Sequence, residues 1–286
     1  MKRKKLLSDL LIDIADSANF ETSPGNDSEI EVLKVILDEK KAEKYQRKPG
    51  LYYTVSTKIF REGMEKRYDD LAKVVSDILH DCADYYEIKK ITSKALIVGL
   101  GNVDVPSDSL GPNTVKKINV TNHLIEMNLV KKLNRVITVI PGVMGQTGLE
   151  TTEIVKSLAE NFKPSLIVVI DALASRSISR LNSTIQITTS GISPGSGISG
   201  NKKEISYETA GIPVIAIGIP LVVDYFNIIN ELFEDKEAKK KALENMPGDP
   251  HMFVSSKDIQ NLIVDMSSCL AKAINHFLNP SSDNLF

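Results

Sequence analysis

Two aspartates are the residues of this chain whose type and position best suit chemistry. Asp171 follows directly after the aliphatic run Leu166–Ile170, and Asp108 lies in the loop after a second apolar run, Ala95–Leu100. Runs that are apolar at every position are typical of parallel strands buried on both faces. Ligands bind at the carboxyl ends of such strands, where neighbouring loops open a crevice, so we expect both aspartates to face one cleft.

A pair of carboxyl groups in one cleft indicates acid–base hydrolysis. Like-charge repulsion and burial push the two pKa values apart, so that one group is ionised while the other is protonated. The ionised group can take a proton from water, and the protonated group can donate to a carbonyl oxygen or a leaving amine. This chemistry hydrolyses an amide without a covalent intermediate. Which aspartate is the acid stays open, because the titration belongs to the pair.

Glycine-rich loops lie near these aspartates, at residues 99–102, 142–148 and 191–197. Glycine allows backbone N–H groups to approach a ligand closely. Taken singly, each aspartate also fits a structural role, one as a helix cap and the other as a partner of local amides. The shared neighbourhood of glycine-rich loops favours a functional site.

The second glycine-rich loop leads into a predicted helix. Thr147-Gly148-Leu149-Glu150 matches a capping box, which predicts a helix that begins there with free N–H groups. Such an end can hold a developing negative charge. Gly145, Gln146 and Thr147 are therefore candidates for an oxyanion site or a substrate contact.

Other catalytic patterns are incomplete. Asp104 stands where a dinucleotide-binding fingerprint after the first apolar run needs its third glycine. The sequence contains no P-loop and no G-x-S-x-G nucleophile elbow. Cys82 and Cys269 fall on apolar faces of predicted helices, where a free thiol acts as a small core residue, so neither a disulfide nor a cysteine nucleophile is indicated.

A metal site stays open as an alternative. Asp108 and Asp171 could ligate zinc or nickel if a histidine joined them. None of the histidines stands at a predicted strand end of the sheet, so we expect neither a metal nor a cofactor. They are His80, His123, His251 and His276.

Composition predicts one soluble α/β protein. The 286 residues suffice for one large domain, and 42% apolar residues can fill its core. A formal net charge of −2 gives no field that attracts nucleic acid or an anionic membrane. No run reaches the roughly 18 apolar residues of a membrane helix. Ser8, Asp9 and Asp13 interrupt the apolar stretch after the basic start, so we expect a cytoplasmic protein without a signal peptide.

The hydrophobic pattern alternates between strands and helices. We expect residues 1–30 to be loosely held, and the lysine-rich stretch Glu39–Lys48 to be a solvated turn. The alternation predicts an α/β fold with a mostly parallel central sheet flanked by helices on both faces. The predicted strands are Ile30–Leu37, Leu51–Ile59, 95–100, 135–140, 166–170, 183–188 and 213–218, and the predicted helices are Glu65–Tyr86, 112–126, 149–161, Glu231–Lys241 and Lys257–Leu278.

Several motifs occur in order along the core of the chain: Gly99–Asn102, Pro106–Pro112, Pro141–Gly145, Ile170–Ser177, Gly191–Gly197, Lys203–Thr209 and Gly211–Pro220. Together they closely resemble the spore germination protease family, whose phosphorylase/hydrolase-like fold is similar to that of hydrogenase maturation proteases. The resemblance implies an endopeptidase that degrades small acid-soluble proteins in the spore core and forms a homotetramer. It places the catalytic aspartates at Asp108 and Asp171.

The family is made as a zymogen that removes its own pro-segment. Residues 8–13, Ser-Asp-Leu-Leu-Ile-Asp, resemble the cleavage sites of the family, although they also fit the amphipathic start of a helix. The resemblance predicts cleavage between Asp9 and Leu10, which removes residues 1–9. Residues 10–286 then form a single α/β peptidase domain, with an N-terminal extension over about 10–92 and a core over about 93–280.

Three further polar residues, Arg176, Tyr207 and Lys203, are candidates for orienting an extended substrate. His251 falls in a segment that resembles one of the family, and we assign it no role. The chain is shorter after Val223 than the longer members of the family. Two other functions stay open: a metal-dependent maturation peptidase, and a non-catalytic α/β module that binds a ligand or a protein tail at the same strand ends.

Overall fold

The computed structural model describes most of the chain. Residues 1–7 of the predicted pro-segment, residues 195–197 of the third glycine-rich loop, and His251 lie outside the described residues. Within the described part, no helix is both long enough and apolar enough to cross a membrane. The described residues are 8–14, 21–22, 29–88, 94–194, 203–245 and 252–280.

A nine-stranded sheet organises the described residues. Its strands are β1 (Glu21–Thr22), β2 (Ile30–Leu37), β3 (Gly50–Thr57), β4 (Lys94–Gly99), β5 (Arg135–Val139), β6 (Leu166–Ser175), β7 (Thr184–Thr188), β8 (Val214–Asp224) and β9 (Phe253–Val254). The helices are α1 (Glu39–Tyr45), α2 (Tyr68–Tyr85), α3 (Leu110–Val115), α4 (Asn122–Glu126), α5 (Met144–Thr147), α6 (Thr151–Phe162), α7 (Tyr207–Ala210), α8 (Tyr225–Leu232), α9 (Lys236–Glu244) and α10 (Ile259–Leu278).

The strand order is β1-β2-β3-β7-β8-β6-β4-β5, with β9 paired to β8. Strands β5, β4, β6 and β8 pair in parallel, whereas the pairs along β1, β2, β3, β7 and β8 are antiparallel. The parallel centre with helices on both faces confirms the predicted α/β class. The N-terminal strands β2 and β3 extend the same sheet through β7.

The central strands bury both of their faces, as runs that are apolar at every position predict. On one face of β6, Leu166, Val168 and Ile170 pack in a cluster with residues of α2, α3 and α10. On the other face, Ile167 and Val169 pack in a second cluster with residues of α6. The sheet therefore separates two helix layers, and any polar residue on it lies next to one of them.

The lysine-rich stretch after β2 is a helix, and the predicted solvated turn is wrong. α1 begins at Glu39, and the carboxylate of Asp38 accepts a hydrogen bond from Lys41 N at 2.8 Å. Ala42 and Tyr45 are buried. A good N-cap and two buried residues on one side outweigh the surface charge that suggested a turn.

The predicted helix 112–126 is two short helices, α3 and α4. The fully buried Thr121 lies between them, and its hydroxyl donates to Asn134 O at 2.5 Å. The same hydroxyl accepts from Val136 N at 2.9 Å. The chain leaves the helix here because Thr121 completes the backbone hydrogen bonds at the start of β5.

Strands β6 and β8 run further than predicted, to Ser175 and Asp224. They stay paired past the end of β4 at Gly99, so Asp171 lies within β6 and not after it. Among the described residues, the side of β6 that faces β4 therefore has no strand neighbour beyond Ile170. We call this stretch the open edge of β6.

Helix α3 packs directly against the backbone of the sheet. A Cβ atom at Gly111 would lie 2.4 Å from Leu100 O and 2.5 Å from Ile170 O. Because backbone atoms cannot move aside, we expect Gly111→Ala to lower the free energy of unfolding by about 3 kcal/mol. Urea unfolding measures the change. The matched control is Gly145→Ala, whose Cβ meets no atom within 4 Å. Equal unfolding midpoints for the two variants would contradict the prediction.

Candidate active site

Asp108 and Asp171 line one cavity, which lies beyond the end of β4 and beside residues within β6 and β8. The cavity has a volume of about 600 Å³. Part of its wall is formed by Asp171, Gly218 and Gln186, which are neighbours across β6, β8 and β7 in the strand register. The structure thus brings together two carboxyl groups that are far apart in the sequence.

Asp108 is held by the turn before α3. Asn102 N donates to Asp108 Oδ2 at 2.9 Å, which fixes the half-buried side chain to the loop after β4. The close contact between Gly111 and Ile170 O keeps the start of α3 over β6. Since Asp171 follows Ile170, the packing of α3 fixes the turn that carries Asp108 at the level of Asp171 along β6.

Asp171 belongs to the face of β6 that is covered by α6. The alternation of Ile167 and Val169 on that face continues to Asp171, which is 6% exposed. Its Oδ1 accepts a hydrogen bond from Ala172 N at 2.9 Å. This amide contact is the structural role considered from the sequence, and the position in the cavity wall is what a catalytic role requires.

Residues 8–14, here termed the N-terminal segment, lie against the same site. Asp9 lines the cavity, and Leu10 and Leu11 are fully buried. Leu11 packs in a cluster with residues of β2, α1 and β3. The expected loose attachment of residues 1–30 is wrong for this segment, because burying a leucine contributes about 1.5–3 kcal/mol.

The N-terminal segment occupies the open edge of β6. Leu100 N donates to Ile170 O at 2.8 Å, so the alternate residues Ala172 and Ala174 turn their backbone groups to the same side. Asp9 N donates to Ala174 O at 2.9 Å, and Ala174 N donates to Asp9 Oδ2 at 2.8 Å. The residue at the predicted cleavage site therefore pairs with β6 much as an added strand does.

The second acidic residue of the predicted cleavage motif is also bound. Asp13 Oδ2 accepts from Arg176 N at 2.8 Å and from Ser8 Oγ at 2.6 Å. Arg180 Nε lies 3.5 Å from Asp13 Oδ1, and the Asp13 side chain is 4% exposed. Arg176 thus contributes its backbone, whereas the charge comes from Arg180, which the sequence analysis did not select.

The predicted oxyanion residues lie outside the cavity. Gly145, Gln146 and Thr147 belong to the single turn α5, and none of them is among the described residues that line the cavity. Gln146 Nε2 donates to Asn102 Oδ1 at 3.0 Å and to Asp104 Oδ2 at 3.2 Å. Their contact with a bound substrate stays a prediction.

The capping box expected at Thr147 does not form. Gly148 adopts a left-handed conformation, with φ of 71°, which ends α5 and forces a new start for the next helix. α6 therefore begins at Thr151, and its N-cap Glu150 makes no side-chain capping bond. Gln146 N and Thr147 N both donate to Val143 O, at 2.8 and 3.1 Å, so these two N–H groups beside the glycine-rich loop are not free.

A charged cluster at the cavity was missed by the sequence analysis, because Lys48 was assigned to a solvated turn. Lys48 pairs with Glu204 and, at 2.9 Å, with Glu208, and both Lys48 and Glu204 line the cavity. Ser206 Oγ donates to Glu208 Oε2 at 2.6 Å. The hydrogen bonds from Ser206 and Lys48 lower the pKa of Glu208 to about 2.

The other two substrate-orienting candidates pair elsewhere. Lys203 Nζ lies 2.6 Å from Glu153 Oε1 in an exposed ion pair. Tyr207 stacks on Tyr86 with ring centroids 6.4 Å apart. Neither Lys203 nor Tyr207 is among the described residues that line the cavity.

Other reactive side chains have structural surroundings. Cys82 and Cys269 are free and buried, as predicted. Burial raises the pKa of the Cys82 thiol and raises that of Cys269 to about 12, so neither is poised as a nucleophile. His80 packs edge-on against an aromatic ring of α10, and His276 contacts a serine of α2. Across the described residues, no group of three or more His, Cys, Asp or Glu side chains is arranged to hold a metal ion.

Comparison with known families identifies the relatives of this chain. A family model described as germination protease matches residues 13–236. This chain belongs to the germination protease family. The matched range contains Asp108 and Asp171, and it begins within the N-terminal segment, after the predicted cleavage site.

Individual germination proteases are similar over much of the chain. The protein of Oceanobacillus iheyensis is 43% identical over an alignment of 213 positions, which covers 72% of this chain and 57% of that protein. The protein of Priestia megaterium is 38% identical over an alignment of 245 positions, which covers 79% of this chain and 66% of that protein. The protein of Clostridium acetobutylicum is 34% identical over an alignment of 290 positions, which covers 88% of this chain and 86% of that protein. The chain thus spans less than two thirds of the first two relatives.

The lowered pKa of Glu208 predicts a pH-dependent contribution to stability. The folded value of about 2 lies below the unfolded value of about 4.3, so the contribution is present above about pH 4.3 and is lost as the pH falls towards 2. We expect Glu208→Gln to lower the urea midpoint near neutral pH, and the difference from wild type to shrink with acidification. The side chain is largely exposed, so the effect should stay below about 1 kcal/mol.

The matched control for this measurement is Glu244→Gln on α9, which removes an exposed glutamate far along the chain. Urea midpoints of wild type and both variants are compared from about pH 6 down to about pH 3. A difference for Glu208→Gln that does not change over this range would contradict the assigned role of the Ser206 and Lys48 contacts.

Proposed function

We propose that this chain is an endopeptidase of spore germination, made as a zymogen, that hydrolyses peptide bonds by acid–base catalysis with Asp108 and Asp171. Membership of the germination protease family supports the activity. One observation carries the mechanism: a single cavity is lined by Asp108, Asp171 and Asp9, the residue after which cleavage is predicted. The residue on the amino side of the predicted cleavage site thus borders the same cavity as the two carboxyl groups.

The chemistry needs one ionised and one protonated aspartate. The ionised group accepts a proton from water while the water oxygen attacks the carbonyl carbon of the Asp9–Leu10 bond. In the tetrahedral intermediate that follows, the protonated group donates its proton to the nitrogen of Leu10. The C–N bond then breaks, leaving a carboxyl group on Asp9 and an amine on Leu10. The two aspartates have exchanged protonation states, and proton exchange with water restores them.

The N-terminal segment serves as the model for an external substrate. Its acidic residues are bound at two places, Asp9 at Ala174 and Asp13 at Arg180, and two buried leucines lie between them. An acidic–aliphatic–aliphatic sequence would make the same contacts. We propose that the external substrates are the small acid-soluble proteins of the spore core. A homotetramer is part of the same proposal, and analytical ultracentrifugation measures it.

Replacing either aspartate should stop self-cleavage. An amide cannot exchange a proton as a carboxyl group does, so we expect Asp108→Asn and Asp171→Asn each to slow cleavage by about 10²–10⁴-fold. Intact mass and N-terminal sequencing should find Leu10 as the first residue of the wild type and an uncut chain in both variants. The same variants should leave small acid-soluble spore protein uncut.

The control is Asp104→Asn, which makes the same change at an exposed position of the same loop. A fast-cutting Asp108→Asn or Asp171→Asn variant would exclude the mechanism. A wild-type chain that neither cuts itself nor cuts spore protein would instead favour the non-catalytic binding module. Metal analysis of the active protein and treatment with chelators separate the proposal from a metal-dependent peptidase. We expect chelators to leave the rate of cleavage unchanged.

A further inference from the structure

The side chain of Gln186 holds the chain on both sides of the predicted cleavage site. Gln186 Nε2 donates to the carbonyl oxygen of Asp9 at 3.2 Å. Gln186 Oε1 accepts from the backbone N–H of Leu11 at 2.6 Å. The Asp9 carbonyl belongs to the peptide bond between Asp9 and Leu10. One side-chain amide therefore binds the carbonyl oxygen of this bond and the N–H group of the next peptide bond.

The strand register of the sheet places Gln186 near the predicted cleavage site. Gln186 lies on β7 opposite Gly218 of β8, and Gly218 lies opposite Asp171 of β6. A Cβ atom at Gly218 would lie 2.5 Å from the side chain of Leu173, so Leu173 packs over this position. The shared register places Gln186 and Asp171 on the same face of the sheet, on either side of β8.

A glutamine suits this contact for a chemical reason. Its side chain is 8% exposed, and a buried amide needs a partner for its oxygen and for its nitrogen. A peptide in extended form offers a C=O at one residue and an N–H two residues later, on the same side. Gln186 matches both groups at once, whereas glutamate lacks the donor and leucine lacks both.

We propose that Gln186 binds the carbonyl oxygen of the bond to be cut and stabilises the negative charge that develops on it during attack. The proposal rests on the proposed function and adds a residue to it. A neutral donor aimed at the carbonyl oxygen gains strength as that oxygen becomes an oxyanion, because the interaction grows with the charge. The bond from Leu11 keeps the carbonyl aligned with the donor.

The test uses the full chain with Gln186→Leu and Gln186→Glu, and Gln260→Leu as the matched control on the exposed face of α10. Self-cleavage after Asp9 is followed by intact mass over time. We expect Gln186→Leu and Gln186→Glu to slow cleavage by about 10²–10³-fold, the usual effect of losing one oxyanion donor. Gln260→Leu should cut at the wild-type rate.

A second measurement separates charge stabilisation from simple attachment of the segment. Hydrogen exchange of the Leu11 amide is measured in uncut chains that carry Asp171→Asn. Adding Gln186→Leu should raise the exchange rate about tenfold, because the amide loses its acceptor. Adding Gln186→Glu should leave exchange near that of the Asp171→Asn chain, since a carboxylate can still accept from Leu11. The Gln186→Glu variant should thus keep the N-terminal segment attached while its rate of self-cleavage falls.

The outcomes distinguish this inference from the proposed function. Wild-type cleavage after Asp9, combined with cleavage in both Gln186 variants within about threefold of wild type, would overturn the role of Gln186 and leave the aspartate mechanism standing. A slow Gln186→Glu variant with a freely exchanging Leu11 amide would reduce Gln186 to a structural anchor. A wild type that is never cut after Asp9 would overturn both proposals.

Discussion

The open edge of β6 is the constraint on which the site depends. Buried backbone N–H and C=O groups must find partners, and β4 stops supplying them beyond Ile170. Asp171 takes the N–H of Ala172, and Asp9 takes both backbone groups of Ala174. A carboxyl group from the strand and one from the N-terminal segment therefore bind backbone groups of the same edge. Both of these acids, Asp171 and Asp9, line the cavity.

Covalent attachment explains how a short segment can fill this edge. A segment of the same chain binds at a high effective concentration, so it needs fewer contacts than a free peptide. The buried residues Leu10 and Leu11 supply apolar contact, and Asp13 supplies an ion pair with Arg180. These contacts surround the bond predicted to be cut. If the chain is cut as proposed, these contacts hold the cleavage site in place before the cut.

The apolar runs were enough to predict the parallel centre of the sheet and the common cleft, because a strand buried on both faces tolerates few polar residues. The position of Gln186 could have been inferred from β7, where Thr184, Gln186 and Thr188 alternate with isoleucines. All three polar residues are buried, and Gln186 and Thr188 line the cavity. The alternation can be read from the sequence, but the burial of the polar residues cannot.

Other parts of the site depend on strand lengths and long-range contacts, which local sequence patterns do not predict. The open edge exists because β6 and β8 stay paired after β4 has ended. The residues of β4 do not predict how far the neighbouring strands extend. The pairing of Asp9 with Ala174 joins residues that are far apart in the chain. Likewise, Arg180 was overlooked in favour of Arg176, because sequence alone does not tell whether an arginine offers its guanidinium or its backbone.

Within the proposed mechanism, cleavage removes Asp9 from the cavity wall but leaves Leu10 and Leu11 attached to the chain. Loss of residues 1–9 removes the two bonds at Ala174, which opens the edge of β6 to another acidic residue. Leu11 remains buried and bonded to Gln186, and it is still tethered to the chain. An external substrate that binds Gln186 in the same way must therefore displace Leu11, which is still part of the chain. Maturation on this view has two steps, the chemical cut and the release of the two leucines, and an external peptide can bind Gln186 only after the second step.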